Sequence, residues 1–251
     1  MKIWLHFRIF SRLSVFFFGG VFGPVNAAMY VYPMETSLGE NGASQIRVIS
    51  QDNDVQFVMV NLKKIANPGT SKENEIDSDM SDAAHLIVTP QKIALAAGGE
   101  RVVRLVSVNP PQKETTWRVY FEGVNEAAYN LTPGRGGHGD AQVGVNIIWG
   151  VLVHVAPQKA IAGMEYNPIS GKVTNTGTIR ILVKEIGTCR SASDCTWEKK
   201  ELTLYPDSEN AISGVTFKPG NLYKIKYFNW IKNTEDVMEL PVLQASKRLS
   251  N

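Results

Sequence analysis

Short apolar runs with a two-residue period recur along most of the chain. Residues 55–62, 101–108, 117–124 and 179–186 are rich in β-branched and aromatic side chains, and each run is bounded by Gly, Pro, Asn or Asp. Ala97-Gly-Gly-Glu100, Asn109-Pro-Pro111 and Asn175-Thr-Gly177 supply turn chemistry between runs. No window of a dozen residues carries a sustained 3.6-residue apolar period. The pattern predicts an all-β chain built as β-sandwiches. A break falls at Ala156-Pro157-Gln158-Lys159, where an apolar run stops and Pro cannot donate to a ladder. Residues 28–156 and 157–241 each suit one Ig-like sandwich of roughly 100 residues. Residues 242–251 are polar enough for a loose tail.

The run at 143–155 is the longest. All its odd positions are large and apolar: Val143, Val145, Ile147, Trp149, Val151, Val153 and Val155. Gly144, Asn146, Ile148, Gly150, Leu152 and His154 alternate with them, so the odd set shares one face. At ~3.3 Å per residue such a strand would extend ~43 Å, well past the usual five or six residues. One reading is a long central strand, broken by a bulge at Gly150. The other is a strand partly exposed at a sheet edge, where a row of Val and Ile invites pairing with another chain.

Residues 1–27 have a different organisation. Lys2, Arg8 and Arg12 precede an apolar stretch of about ten residues, too short for the ~20 of a membrane span. Val25-Asn26-Ala27 then places small or modest residues before a cleavage point, the layout of a secretory signal peptide cut after Ala27 or Ala28. The full chain has 26 Lys and Arg against 24 Asp and Glu. Removing the leader takes three cations and no acid, leaving 23 against 24. A near-neutral chain without blocks of like charge is not built for nucleic acid. Export sets an oxidising context, in which Cys189 and Cys195 are expected to close a small disulfide loop. A redox-active pair usually has tighter Cys-x-x-Cys spacing.

Enzyme chemistry finds no purchase. His85, His138 and His154, the histidines left after cleavage, lie in no H-E-x-x-H pattern, and no G-x-S-x-G elbow is present. The acidic run Glu73, Glu75, Asp77, Asp79 and Asp82 lacks the glycine of a Ca²⁺ loop and reads as a solvated loop. The Gly-rich segment 132–140 lacks the Lys-Ser/Thr and following helix of a phosphate loop, and reads as a flexible connection between strands. No cofactor and no metal are expected.

Several segments in order carry a family resemblance. They are Ile46-Arg-Val-Ile-Ser-Gln51, the 55–62 strand with Lys63-Lys-Ile-Ala-Asn-Pro-Gly-Thr70, Leu86-Ile-Val-Thr-Pro-Gln-Lys-Ile93, Val102-Val-Arg-Leu105, Trp117-Arg-Val-Tyr-Phe-Glu122 and Val145-Asn-Ile-Ile-Trp149. Val173-Thr-Asn-Thr-Gly177 extends the likeness weakly into the second half. The chain resembles the periplasmic pilus-assembly chaperones, the PapD-like superfamily, in its alternate-class CS1/CFA-type branch.

The resemblance implies two Ig-like domains set at an angle. It implies a periplasmic chaperone that binds pilus subunits missing their final strand, completes them with its own last first-domain strand, and delivers them to an outer-membrane usher. Val143, Val145, Asn146, Ile147 and Trp149 would form the subunit-binding strand, with Val143, Val145 and Ile147 inserted. No nucleic-acid partner, membrane span in the mature chain or catalytic step is implied. The broader superfamily anchors the subunit's terminal carboxylate with an Arg on the first strand and a Lys on this last one. The first strand here, Tyr30-Val-Tyr-Pro-Met-Glu35, has no Arg, and the Lys position falls near Leu152. Arg118 and His154 are the neighbouring candidates for that anchor. The rival reading is a secreted Ig-like binding protein, adhesin or pilus subunit. Such a pilus component would lack its own last strand and carry a spare donor segment at its mature N-terminus.

Overall fold

The alternating runs of the sequence become strands whose buried residues fall on every second position. The computed structural model describes residues 29–78, 86–130, 147–218 and 220–243. Val143, Val145, Asn146, the leader at 1–27 and the Gly-rich segment 132–140 lie outside them.

The first sandwich contains β1 (Met29–Tyr32), β2 (Glu35–Leu38), β3 (Ala43–Ser50), β4 (Gln56–Ala66), β5 (Asn74–Asp77), β6 (Ile87–Thr89), β7 (Lys92–Leu95), β8 (Glu100–Val106), β9 (Thr115–Val124), a one-turn helix α1 (Glu126–Asn130) and β10 (Ile148–Val155). One sheet runs β1-β3-β8-β6, and the facing one β2-β10-β9-β4-β5 with β7 also on β4. The chain changes sheets between β1, which pairs antiparallel with β3, and β2, which pairs parallel with β10. Val48, Val58, Leu105, Trp117, Phe121 and Val153 fill the space between the sheets.

The second sandwich contains β11 (Met164–Asn167), β12 (Lys172–Asn175), β13 (Ile181–Cys189), β14 (Cys195–Leu204), β15 (Glu209–Ala211), β16 (Leu222–Asn229) and β17 (Thr234–Glu239). Its sheets are β11-β12-β15 and β14-β13-β16-β17, closed around a separate core of residues such as Tyr166, Ile181, Phe217 and Ile225. The chain is thus all-β, in two Ig-like sandwiches.

Of the strand expected over 143–155, Ile148–Val155 is a strand and Ile147 lies just before it, while 143–146 fall outside the described residues. Three other sequence expectations need correction. The strand has no bulge at Gly150. Its register with β9 is unbroken from Ile148 opposite Glu122 to Val155 opposite Thr115. The acidic run is not all loop, because Asn74–Asp77 pairs with β4 as β5. Charge density hid this strand, whose four residues are all exposed and so show no apolar alternation. Val242 and Leu243, expected in a loose tail, are instead tied to the second sandwich, since Val242 bridges to Tyr166 and the Leu243 N–H donates to the Tyr166 carbonyl at 2.7 Å.

Candidate functional site

β10 is paired unevenly, and this sets up the site. Residues 152–155 lie between β9 and β2, whereas residues 148–151 pair, among the described residues, with β9 alone. The Leu152 and Ala156 N–H groups donate to Met34 and Leu38 on the β2 side. Main-chain groups alternate sides along a strand. Ile148 and Gly150 therefore turn their N–H and C=O outward on the half that β2 does not cover. Ile147 and Ile148 are 43% and 50% exposed beside that open edge. On the face opposite Ile148, Trp149, Val151, Val153 and Val155 point into or against the first core. The buried indole N–H of Trp149 has no acceptor among the described residues.

The outward face of the same sheet is a shelf ordered in rows. Ile65, Thr116 and His154 form one row across β4, β9 and β10. Lys63, Arg118 and Leu152 form the next, then Asn61, Tyr120 and Gly150. Gly150 leaves the space that Arg118 and Tyr120 use, because a Cβ there would stand 3.1 Å from Arg118 Cδ and 3.2 Å from Tyr120 Cε1. Glu75, reaching over from β5, accepts the Tyr120 hydroxyl at 2.6 and 2.7 Å and lies 3.4 Å from Arg118 Nε. Desolvation, reinforced by Glu75, raises the Tyr120 pKa, so the phenol stays a donor. Lys63 pairs with Asp77 of the same arm at 3.2 Å.

The His154 row is covered by the second sandwich. Glu114, just before β9, has a fully buried carboxylate. Its Oε2 accepts the Arg180 N–H at 2.8 Å and the Trp230 indole N–H at 3.0 Å, and its Oε1 accepts the Arg180 guanidinium. That guanidinium lies 4.4 Å over the Trp230 ring and donates to Ser37 Oγ at 3.2 Å. These charge-assisted bonds and the ring contact compensate a charge pair that would otherwise be costly to bury.

The structure brings the two anchor candidates, Arg118 and His154, onto one face in adjacent rows, but in different surroundings. Arg118 is about one-third exposed, and His154 is 1% exposed. His154 Nε2 is 3.3 Å from Glu35 Oε1, and Nδ1 is 3.3 Å from Thr116 Oγ1 and 3.5 Å from Glu114 Oε1. This pattern assigns the neutral Nε2–H tautomer, donating to Glu35 and accepting from Thr116. Its ring stacks on Tyr205 at 6.0 Å. Burial lowers the His154 pKa, and the hydrogen bond from His154 holds the Glu35 carboxyl below the usual carboxylate range.

A pH dependence follows. The unfolded chain takes up a proton on His154 near pH 6.5, whereas the buried ring does not. Stability is therefore greatest above that pH and falls as the pH drops below it. Glu35 acts in the same direction lower down, with its contribution present above its unfolded pKa of 4.5 and lost as pH falls through the folded value. Urea unfolding from about pH 7.5 to about pH 5.5 is expected to show declining stability, with a flatter decline in His154→Gln. An equal slope in the variant would reject this role.

Relatives agree with this architecture. No family model matches the chain. Two Escherichia coli proteins, named for the CFA/I and the CS1 fimbriae as fimbrial subunits, are each 31% identical over 72% of this chain, covering 78% and 79% of their own lengths. Among solved structures, the class 5 fimbriae chaperone CfaA matches 86% of this chain and 100% of its own at 28% identity and a TM-score of 0.68. A chain from a chaperone–tip adhesin complex of CFA/I fimbriae biogenesis matches 85% and 99% at 27% identity and a TM-score of 0.66. The chain belongs to the class 5 fimbrial chaperones, within the PapD-like superfamily.

In this chaperone the expected disulfide is present. Cys189 and Cys195 face each other across the β13–β14 hairpin with an S–S bond and Cα atoms 3.9 Å apart. A loop this short constrains the unfolded chain by only about 2 kcal/mol, so the bond fastens one hairpin more than it holds the domain. Sequence reasoning missed Glu114, Arg180 and Trp230. Glu114 lies in a polar turn, Pro111-Gln-Lys-Glu114, that reads as solvated, and its partners are 66 and 116 residues away. The Arg180 charge inside the apolar 179–186 run is the one local hint.

Proposed function

We propose that this chaperone captures an incompletely folded fimbrial subunit in the periplasm by lending it the open half of β10, and then hands it to an outer-membrane usher. The observation that carries this is the uneven pairing of β10, closed by β2 over 152–155 and open over 148–151. An unpaired edge flanked by exposed isoleucines would normally be an aggregation hazard. Here it offers main-chain bonds to a second chain and apolar side chains to its groove. Val143, Val145 and Ile147 continue the parity of Trp149 and Val151, so their side chains would extend the chaperone's own core into that of the bound partner. Asn146 would sit on the opposite face. The partner's terminal carboxylate would be received by Arg118, a partly exposed cation on the shelf, rather than by His154, which is buried between Glu35 and Glu114.

The names of the Escherichia coli relatives suggest a second reading, a structural component of the fimbria. Against it, β10 fills the first sandwich, so that domain does not lack its last strand. Residues 1–27 are proposed to be a signal peptide, and mass spectrometry of the secreted chain would give its first residue.

Co-expression with a tagged candidate subunit tests strand lending. Ile147→Asp puts a charge into the partner's apolar groove, and Ile148→Pro removes an outward N–H without breaking a bond to β9. Recovery of soluble complex is expected to fall at least about tenfold for each, equivalent to ~1.4 kcal/mol. The chaperone alone should keep its unfolding midpoint. Undiminished complex with both variants would reject strand lending.

A further inference from the structure

Glu75 stands where an incoming carboxylate would have to go. Its two oxygens both accept the Tyr120 hydroxyl, and one faces Arg118 Nε at 3.4 Å. These are a donor and a cation of the kind that would receive a peptide's C-terminus on this shelf. The segment supplying Glu75 is lightly held. β5 has four residues, all exposed, joined along one side to residues 63–66 of β4. Its base is anchored separately, by the Gly69 N–H donating to Glu73 at 2.7 Å and by the approach of Gly69 to the Tyr205 ring. The Glu75 side chain can therefore leave Arg118 while the arm stays attached.

We infer that Glu75 is an internal stand-in for the carboxylate of a bound chain. In the free protein it keeps Arg118 and Tyr120 paired and oriented, and it is displaced when a polypeptide C-terminus enters. This rests on reading the shelf as the place where a fimbrial partner's terminal carboxylate is received. It adds a competition: capture exchanges one carboxylate for another, so Arg118 is never left desolvated and unpaired. The net electrostatic gain on binding is small, and discrimination falls to the strand edge.

The test needs no fimbrial partner. Acetyl-Gly-Phe with a free carboxylate and its C-terminal amide are titrated into the purified ¹⁵N-labelled protein, and shifts of the Arg118 side-chain N–H and its neighbours are followed. Wild type is expected to prefer the acid. Glu75→Gln keeps the side-chain shape and removes the competing charge. It should tighten the acid about two- to fivefold, the range of a partly exposed ion pair, and leave the amide unchanged. Arg118→Ala should abolish the preference in either background. Equal acid affinity in wild type and Glu75→Gln would overturn the stand-in role, and so would indistinguishable acid and amide in both. Strand lending is tested separately by the Ile147→Asp and Ile148→Pro pull-downs, so either idea can fail while the other stands.

Discussion

Glu114→Ala is expected to destabilise the protein by about 3–5 kcal/mol, the usual cost of removing one partner from a buried ion pair. The carboxylate is fully buried and accepts the Arg180 N–H, the Arg180 guanidinium and the Trp230 indole N–H. Alanine leaves Arg180, itself 5% exposed, as a buried cation with Ser37 Oγ and the Trp230 ring as its remaining contacts. It also leaves two N–H donors without an acceptor. Glu114→Gln should be milder, since its carbonyl can still accept one of those bonds. Lys113→Ala is the control next door. Lys113 pairs with Asp207 at 2.7 Å, but both are exposed, so its loss should cost at most about 1 kcal/mol. Urea unfolding of the three variants decides the matter. A Glu114→Ala effect no larger than that of Lys113→Ala would mean that the seam does not hold the two sandwiches together.

How much of this was legible in the sequence differs by element. Several strands that bury one face were announced by alternation. Residues 101–106 of the 101–108 run lie in β8 and 117–124 lie in β9, and the Gly98 turn and the Pro110 connection fall between strands, as their chemistry requires. β5 was hidden because both its faces are exposed and polar. β10 was visible as a strand, but its uneven pairing was not. The partner that closes half of it, β2, is a four-residue segment that pairs parallel with β10 from far upstream in the chain. The seam was least legible of all. Glu114, His154 and Arg180 are each ordinary polar residues in sequence, and they acquire meaning when two domains meet over them. His154 shows the general difficulty: a histidine near a strand's end suggests the surface, and a second domain buries it.

The turn at Gly177 shows how that meeting is enforced. Asn175 is buried, and its amide donates to the carbonyls of Ile179 and Leu204 at 2.8 and 2.9 Å while its oxygen accepts the Gly177 N–H at 2.8 Å. The turn so fixed holds the linker. The Thr176 and Gly177 N–H groups donate to the Gly163 carbonyl, the Thr178 N–H to that of Ile161, and the Thr178 hydroxyl to that of Lys159. The Thr178 carbonyl in turn accepts the Glu114 N–H at 2.8 Å. Gly177 is required by proximity, because a Cβ there would collide with the Ile161 carbonyl oxygen and stand 2.8 Å from the Gly163 N. Both neighbours are backbone, so the linker or the turn must move. Gly177→Ala is therefore expected to cost about 3 kcal/mol, the upper end for an overpacked site. Because the displaced linker is continuous with the Glu114–Arg180 seam, the loss should overlap with that of Glu114→Ala. In a double-mutant cycle the pair should fall short of additivity by about 0.5–3 kcal/mol, as residues sharing one network do. Strict additivity would mean that the turn stabilises the second sandwich alone and does not set how the first is held against it.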